Sequence, residues 1–270
     1  MRMAVLGSGS GGNALVIDTG TTRILVDAGL SAKQLCLRME ARGIDPSSLN
    51  GIMLTHEHGD HVRGLDVFLR KHRVPIFATA LTREVVEDKL KGKADWRVFQ
   101  RGQDFELGEM VVRAFSIPHD AVDPVGFVCT NHDVKVGVAT DLGHITGLVR
   151  DELKGVCGLF VESNYDEVLL DADTKRPWAT KQRIASRHGH LSNAQAAELV
   201  AELAGHGLRD VFLGHLSADC NCPIKAAETV TGLSGKVRVQ IAPQEVPTDW
   251  CQWQVTRPVK MGSGGQGMLF

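Results

Sequence analysis

Aromatic side chains are scarce in this chain of 270 residues, where only 5% of the residues are Phe, Trp or Tyr and a single residue is tyrosine. Extensive stacking of bases on aromatic rings is therefore not indicated. The net charge is also small, at −2. This balance argues against a protein that coats nucleic acid with its whole surface.

Long apolar runs are absent as well, and none approaches the roughly 20 residues that a membrane-spanning helix needs. Met1-Arg2-Met3 leads directly into a predicted strand rather than into the apolar core of a signal peptide. We therefore expect a cytoplasmic protein that does not bind membranes.

The six cysteines are scattered, mostly within apolar stretches, which makes a disulfide scaffold improbable. Cys220 and Cys222 follow a candidate ligand, His215, by a few residues. One intervening residue gives two thiolates a strained geometry on one ion, so a role in lining a loop is favoured over metal ligation.

The hydrophobic content of 43% is typical of a globular domain. We expect one domain over residues 1–260, with two pseudo-symmetric halves packed together, and a flexible glycine-rich tail over residues 261–270. Strands are predicted at 3–6, 14–18, 23–27, 51–54, 97–99, 104–107, 110–117, 125–130, 133–139, 157–161, 210–213 and 236–241. Helices are predicted at 31–42, 64–73, 80–90, 145–153, 166–171, 178–187 and 193–204. This mixed order predicts an α/β (α+β) protein, an αββα sandwich of two mixed sheets with helices on the outer faces.

The most informative motif is His56-Glu57-His58-Gly59-Asp60-His61, which follows the apolar run 52–54. Imidazole and carboxylate are ligands for zinc, manganese or iron, and a buried polar cluster without a metal would lack partners. His56 and His58 can point to one side of an extended segment, whereas Asp60 and His61 lie beyond a flexible glycine. The spacing therefore favours two adjacent metal sites.

Further candidate ligands lie at predicted strand ends: His119 after 111–118, Asp141 after 135–140 and His215 after 210–214. Loops at strand ends are where rigid scaffolds place chemistry.

With these motifs in their order, beginning at Asp27, the chain resembles the metallo-β-lactamase-fold hydrolase superfamily. The opening Gly7-Ser8-Gly9-Ser10-Gly11-Gly12-Asn13, the pair His119-Asp120, Glu162-Ser163-Asn164-Tyr165-Asp166, Gly189-His190-Leu191-Ser192-Asn193 and His215-Leu216-Ser217 are similar to the YycJ/WalJ branch. Members of that branch are regarded as exonucleases on DNA. The resemblance spans nearly the whole chain.

The resemblance implies two divalent transition-metal ions, Zn, Mn or Fe, that activate a water molecule for hydrolysis. It implies ligation of one ion by His56, His58 and His119, of the other by Asp60, His61 and His215, and bridging by Asp141. Asp60 is thus a catalytic residue as well as a ligand. Glu162 and His190 match the pair that protonates the leaving oxygen in related phosphodiesterases, with simple loop structure as the alternative. Asp27 would orient the metal loop.

The predicted function is a metal-dependent phosphodiester hydrolase, a DNA nuclease of 5′-3′ exonuclease type, with nucleic acid, and DNA rather than RNA, as its partner. A small-molecule or cyclic-nucleotide phosphodiesterase is the main alternative; a thioesterase, a lactonase or an inactive binding protein are the others. The segment 174–190 carries Lys175, Arg176, Lys181, Arg183 and Arg187 without an acid. It either contacts a phosphate backbone or forms a solvated helix face. Ser10 and Asn13 either bind a terminal phosphate or only form a turn.

Overall fold

The computed structural model describes residues 1–254, and two β-sheets of seven strands each form its centre. The first sheet contains β1 Arg2–Gly7, β2 Ala14–Asp18, β3 Arg23–Val26, β4 Gly51–Met53, β5 Ile76–Ala78, β6 Trp96–Val98 and β14 Cys251–Gln252, in the order β14-β1-β2-β3-β4-β5-β6. The second contains β7 Asp104–Leu107, β8 Met110–Ser116, β9 Val125–Asn131, β10 Val134–Ala139, β11 Gly158–Glu162, β12 Asp210–Gly214 and β13 Arg238–Ile241, in the order β13-β12-β11-β10-β9-β8-β7. Both sheets are mixed.

Nine α-helices occur within residues 1–254: α1 Ala32–Glu40, α2 Gly59–Val62, α3 Leu65–Leu69, α4 Ala80–Glu87, α5 Gly147–Leu153, α6 Glu167–Ala172, α7 Trp178–Ile184, α8 Asn193–Ala204 and α9 Pro223–Ser234. The longer helices begin at polar caps. In α8, for example, the Ser192 hydroxyl accepts from the Gln195 amide while the Gln195 side chain accepts from the Ser192 amide, so two free amides of the first turn are satisfied.

Three apolar clusters establish four layers. One lies between the sheets and joins residues of both, such as Val5 and Ile17 of the first sheet to Val112 and Phe127 of the second. Another packs the outer face of the second sheet against α5, α8 and α9. The third packs the outer face of the first sheet against α1, α3 and α4. The predicted αββα sandwich of two mixed sheets is confirmed.

Four elements differ from the sequence expectation. The strands β5 and β14 and the helix α9 were not predicted, because two are very short and α9 contains weak helix formers such as Thr229, Thr231 and Gly232. In addition, Gly59 is not a hinge between extended segments but the first residue of α2. The predicted tail at 261–270 lies outside the described residues, and the domain boundary at 260 stays a prediction. No helix of residues 1–254 has the length and apolarity needed to cross a membrane.

Candidate metal centre and catalytic cavity

The candidate residues gather at one edge of the sandwich because several strands end there. In the second sheet β10, β11 and β12 are parallel, and Ala139 pairs with Val161 while Glu162 pairs with Gly214. Asp141, Glu162 and His215 therefore leave the sheet side by side. The first sheet contributes the segment after β4, which contains His56 to His61.

Three of these strand-end residues have an unusual backbone. Asp27, Asp141 and His215 have φ angles of 60°, 58° and 53°, in the left-handed region that residues with a Cβ rarely adopt. Such conformations persist where the surrounding structure enforces them, and they concentrate at functional sites. The turn places each side chain toward the cavity instead of along the strand.

The first group of ligand atoms converges on one point. His56 Nε2 lies 3.1 Å from His58 Nδ1, and His119 Nε2 lies 3.2 Å from the same nitrogen. The other ring nitrogen of His119, Nδ1, donates to the Gly189 carbonyl at 3.1 Å, which leaves Nε2 as a lone-pair donor. Three ring nitrogens this close fit a shared cation better than they fit one another.

The second group contains Asp60, His61 and His215. Asp60 Oδ2 lies 3.2 Å from His215 Nε2 and 3.5 Å from His61 Nε2. Asp60 is presented by the short helix α2, which turns it back toward the second sheet.

Asp141 lies between the two groups. Its Oδ2 is 3.2 Å from His61 Nε2, and its Oδ1 is 3.5 Å from His215 Nε2 and 3.8 Å from His119 Nε2. The structure thus brings together all seven residues that the sequence nominated as ligands. A buried set of imidazoles and carboxylates is expensive to desolvate without compensation, so the donor set fits a pair of cations.

Asp27 and Asn13 support the ligands from behind. The Asp27 carboxylate accepts from the Thr55 amide at 2.8 Å and contacts His61 Nδ1 at 2.7 Å, which directs His61 Nε2 toward Asp141. Asn13 is buried; its Nδ2 lies 3.3 Å from Asp60 Oδ2, and its Oδ1 accepts from Ser8 Oγ at 2.9 Å. Because its side chain is engaged internally, Asn13 does not suit the phosphate contact considered from the sequence, whereas Ser10 lines the cavity.

Glu162 connects the metal cluster to His190. Its Oε1 lies 2.6 Å from His190 Nδ1 and 3.0 Å from His215 Nδ1, while Oε2 accepts from the amides of Leu142 and Leu191. Glu162 is fully buried, whereas His190 retains part of its surface in the cavity. The carboxylate therefore fixes the orientation of both imidazoles.

Burial and charge shift the pKa values of these groups in opposite directions. Burial raises the pKa of Asp141, but His215 and His61 outweigh it and hold that pKa well below the usual range. For His61, burial lowers the pKa, yet Asp141 and Asp27 together raise it well above normal. Burial dominates at His56, whose pKa falls well below its ordinary value. For His190, the neighbouring Glu162 outweighs burial and raises the pKa.

A cavity of about 440 Å³ opens over the cluster. Besides candidate ligands and His190, it is lined by Ser10, Arg63 and Arg183. Arg63 was not nominated from the sequence, although its position two residues after the histidine motif was an available signal. Its guanidinium donates to the Gly11 carbonyl at 3.1 Å, and within residues 1–254 it forms no salt bridge.

The basic segment 174–190 divides in the structure. Lys175 and Arg176 form ion pairs with Asp219, so their charges are largely neutralised. Arg183 reaches the cavity, where its Nε donates to Asp120 Oδ2 at 2.6 Å. No cysteine of the described chain belongs to the groups of potential ligands, consistent with the expectation for Cys220 and Cys222.

Two stacked seven-stranded sheets, with clustered histidines and aspartates at one edge, define a metallo-β-lactamase-fold hydrolase. Residues 22–215 match the family described as "Beta-lactamase superfamily domain". The chain is 33% identical to an exodeoxyribonuclease YycJ of Bacillus anthracis over 82% of this chain and 84% of that protein. It is also 33% identical to an exodeoxyribonuclease WalJ of Streptococcus pneumoniae, over 82% and 83% of the two chains. The fold resembles the metallo-beta-lactamase fold protein YhfI from Bacillus subtilis, with a TM-score of 0.70 at 16% identity over 92% of this chain and 99% of that one.

The chain therefore belongs to the metallo-β-lactamase superfamily and, within it, to the YycJ/WalJ group. The family predicted from the sequence is confirmed, and this protein is an enzyme of a hydrolase fold that implies divalent metal ions.

Proposed function

We propose that this enzyme is a metal-dependent exodeoxyribonuclease that hydrolyses phosphodiester bonds of DNA from a strand end, in the 5′-3′ direction. The observation that carries the proposal is the Glu162–His190 pair, which lies directly beside the seven candidate ligands. A buried carboxylate that orients a cavity-lining imidazole suits protonation of a leaving alkoxide, which a lactam or thioester does not require to the same extent. The printed names of the two bacterial relatives agree with this reaction.

The residues that would hold two divalent ions, Zn, Mn or Fe, fall into the groups described above. His56, His58 and His119 would bind one ion, Asp60, His61 and His215 the other, and Asp141 would contact both. When bound, such ions lower the pKa of a water molecule and neutralise charge on a phosphate.

The side chains of the protein perform the remaining tasks. Glu162 accepts a hydrogen bond from His190 Nδ1–H, so the opposite nitrogen, Nε2, is available to carry a proton into the cavity. That proton passes to the leaving oxygen as its bond to phosphorus breaks. Arg63 and Arg183 contact non-bridging phosphate oxygens from the cavity rim, and Asp27 keeps His61 in the orientation for ligation.

A small-molecule phosphodiesterase is the second candidate. It is favoured by the ion pairs of Lys175 and Arg176, which leave less free positive charge around the cavity than the sequence suggests. Such an enzyme would need Arg63 and His190 but no extended path for a strand.

The decisive experiment compares substrates on one protein sample. Metal-reconstituted enzyme is incubated with single- and double-stranded DNA and RNA, labelled at either end, and with a cyclic nucleotide. We expect mononucleotides to appear first from the 5′ end of DNA. Hydrolysis of the cyclic nucleotide with all polymers left intact would refute the nuclease and support the small-molecule enzyme.

A further inference from the structure

A second concave surface lies beside the catalytic cavity and has no part in the reaction described above. It is a groove of about 370 Å³ between α6 and α7. Its lining, which we call the Trp178 groove, consists of Tyr165, Glu167, Leu170, Asp171, Trp178, Lys181, Gln182 and Ala185.

Trp178 is unusually exposed for a tryptophan. Its relative exposure is 65%, and it is the one aromatic residue among the exposed large hydrophobic side chains of residues 1–254. The helix that bears it, α7, has no buried residue and contacts the body of the protein through the partly buried Ile184. Trp178 therefore does not anchor α7, and an exposed indole beside an apolar groove indicates a binding role.

The groove and the cavity are built from the same segments. Helix α7 places Arg183 in the cavity and Trp178 in the groove, five residues apart, which is about 7.5 Å along a helix axis. Tyr165 follows Glu162 by three residues, and the intervening Asn164 donates to the His215 carbonyl at 2.7 Å. A strand with a phosphate in the cavity would therefore pass the groove within a nucleotide or two.

We infer that the Trp178 groove binds an unpaired nucleobase of that strand, stacked on the indole of Trp178. This inference rests on the proposed nuclease function. The carboxylates of Glu167 and Asp171 disfavour a phosphate in the groove but can accept from the amino groups of cytosine, adenine or guanine. Lys181 Nζ donates to the Asp171 carbonyl at 2.7 Å and so ties α7 to α6 across the groove. One such stacking site agrees with a chain that has few aromatic residues.

The test uses Trp178→Ala, Trp178→Phe and a matched control, Ile224→Ala, which truncates a side chain of 67% exposure on α9. The measured quantity is kcat/KM for a single-stranded oligonucleotide divided by kcat/KM for bis(p-nitrophenyl) phosphate. We expect this ratio to fall about 10-fold in Trp178→Ala, since one base stacked on an aromatic side chain contributes that order of affinity. Trp178→Phe should retain most of the ratio, and Ile224→Ala all of it.

Two further measurements separate stacking from indirect effects. An abasic site at the position facing the groove should lower the ratio for the wild type by a similar factor but add little in Trp178→Ala. Binding of the oligonucleotide to metal-free enzyme should quench tryptophan fluorescence, and Trp178→Ala should lose most of that quenching.

Each outcome has a defined meaning. An unchanged ratio and unchanged quenching in Trp178→Ala, with wild-type enzyme active on DNA, would overturn the inference alone. A wild-type enzyme that neither binds nor cleaves nucleic acid would overturn the proposed function and the inference with it. If light scattering shows that Trp178→Ala converts a dimer to a monomer, the groove is a contact between copies and the inference is wrong.

Discussion

His190 and Glu162 are joined by a hydrogen bond of 2.6 Å between Nδ1 and Oε1. The carboxylate is completely buried, and its second oxygen is held by two backbone amides. The orientation of the His190 ring is therefore set by the fold, before any substrate binds.

For His190→Ala we expect turnover on DNA to fall roughly 100-fold or more, since general acid catalysis typically contributes this much. Metal content should stay near normal, because His190 is not among the seven candidate ligands. The loss should be smaller for a p-nitrophenyl phosphodiester, whose leaving group needs less protonation. Equal losses on both substrates would assign His190 a binding role, and the exposed neighbour His188 provides the control substitution.

Metal content provides a test of the ligand set. Purified enzyme should contain close to two transition-metal ions per chain, and Asp141→Asn and His58→Ala should each reduce this number and abolish activity. Asparagine is chosen at Asp141 because it tolerates the left-handed backbone. Elemental analysis gives the metal content, with His206→Ala, an exposed histidine, as the control. Full activity in wild-type enzyme stripped of metal would contradict the ligand assignment.

Asp27→Asn tests the residue behind His61. The contact of 2.7 Å between Asp27 and His61 Nδ1 orients the ligand, and loss of such a partner typically weakens metal binding 10- to 100-fold. Competition with a chelator measures the affinity, and Asp133→Asn, at an exposed turn, should leave it unchanged. An unaltered affinity in Asp27→Asn would show that the carboxylate only stabilises the loop.

Arg63 tests the path of the phosphate backbone. Each phosphate neutralised by a cation contributes roughly 0.7 to 0.9 to the salt slope of nucleic-acid binding. Arg63→Ala should weaken DNA binding and reduce that slope by about 1, whereas Arg70→Ala should not, since Arg70 is paired with Asp66 on α3. Binding titrations across a range of salt concentrations give the slope. An unaffected slope would place the strand elsewhere.

Tyr165 permits a pH prediction because it is the single tyrosine of the chain. Burial, followed by the nearby Glu167, raises the pKa of its phenol to about 12. Between about pH 10, where tyrosine in an unfolded chain ionises, and about pH 12, the unfolded chain loses a proton that the folded enzyme keeps. The free energy of unfolding should therefore decrease over this interval, and Tyr165→Phe should reduce the decrease. Spectrophotometric titration with a midpoint near 10 would contradict the prediction.

The sequence identified the ligands well because their positions depend on features that a sequence records. Apolar runs ending in His119, Asp141 and His215 predicted strand ends, and strand ends meet at an edge of a sheet. The dense motif from His56 to His61 needed no alignment to indicate a metal site.

Other features depend on tertiary packing and could not be read from the chain. Helix α9 contains Thr229, Thr231 and Gly232 and forms because Ala226 and Val230 are buried against the second sheet. Likewise, the run of cations at 174–190 did not reveal that Arg183 would line the cavity while Lys175 paired with an acid. The side of a helix that faces a site is decided by its packing partners.

The division of the ligands between the two sheets has a consequence for how the chain assembles. His56, His58, Asp60 and His61 all precede the loop between β6 and β7, whereas His119, Asp141 and His215 follow it. Separate polypeptides of residues 1–100 and 101–270 would each carry an incomplete set of ligands, together with one face of the apolar interior. Divalent metal should therefore promote their reassociation, because an ion bound by both fragments links them directly. Fragment complementation that depends on metal concentration would turn the active centre into a reporter of how firmly the two halves are joined.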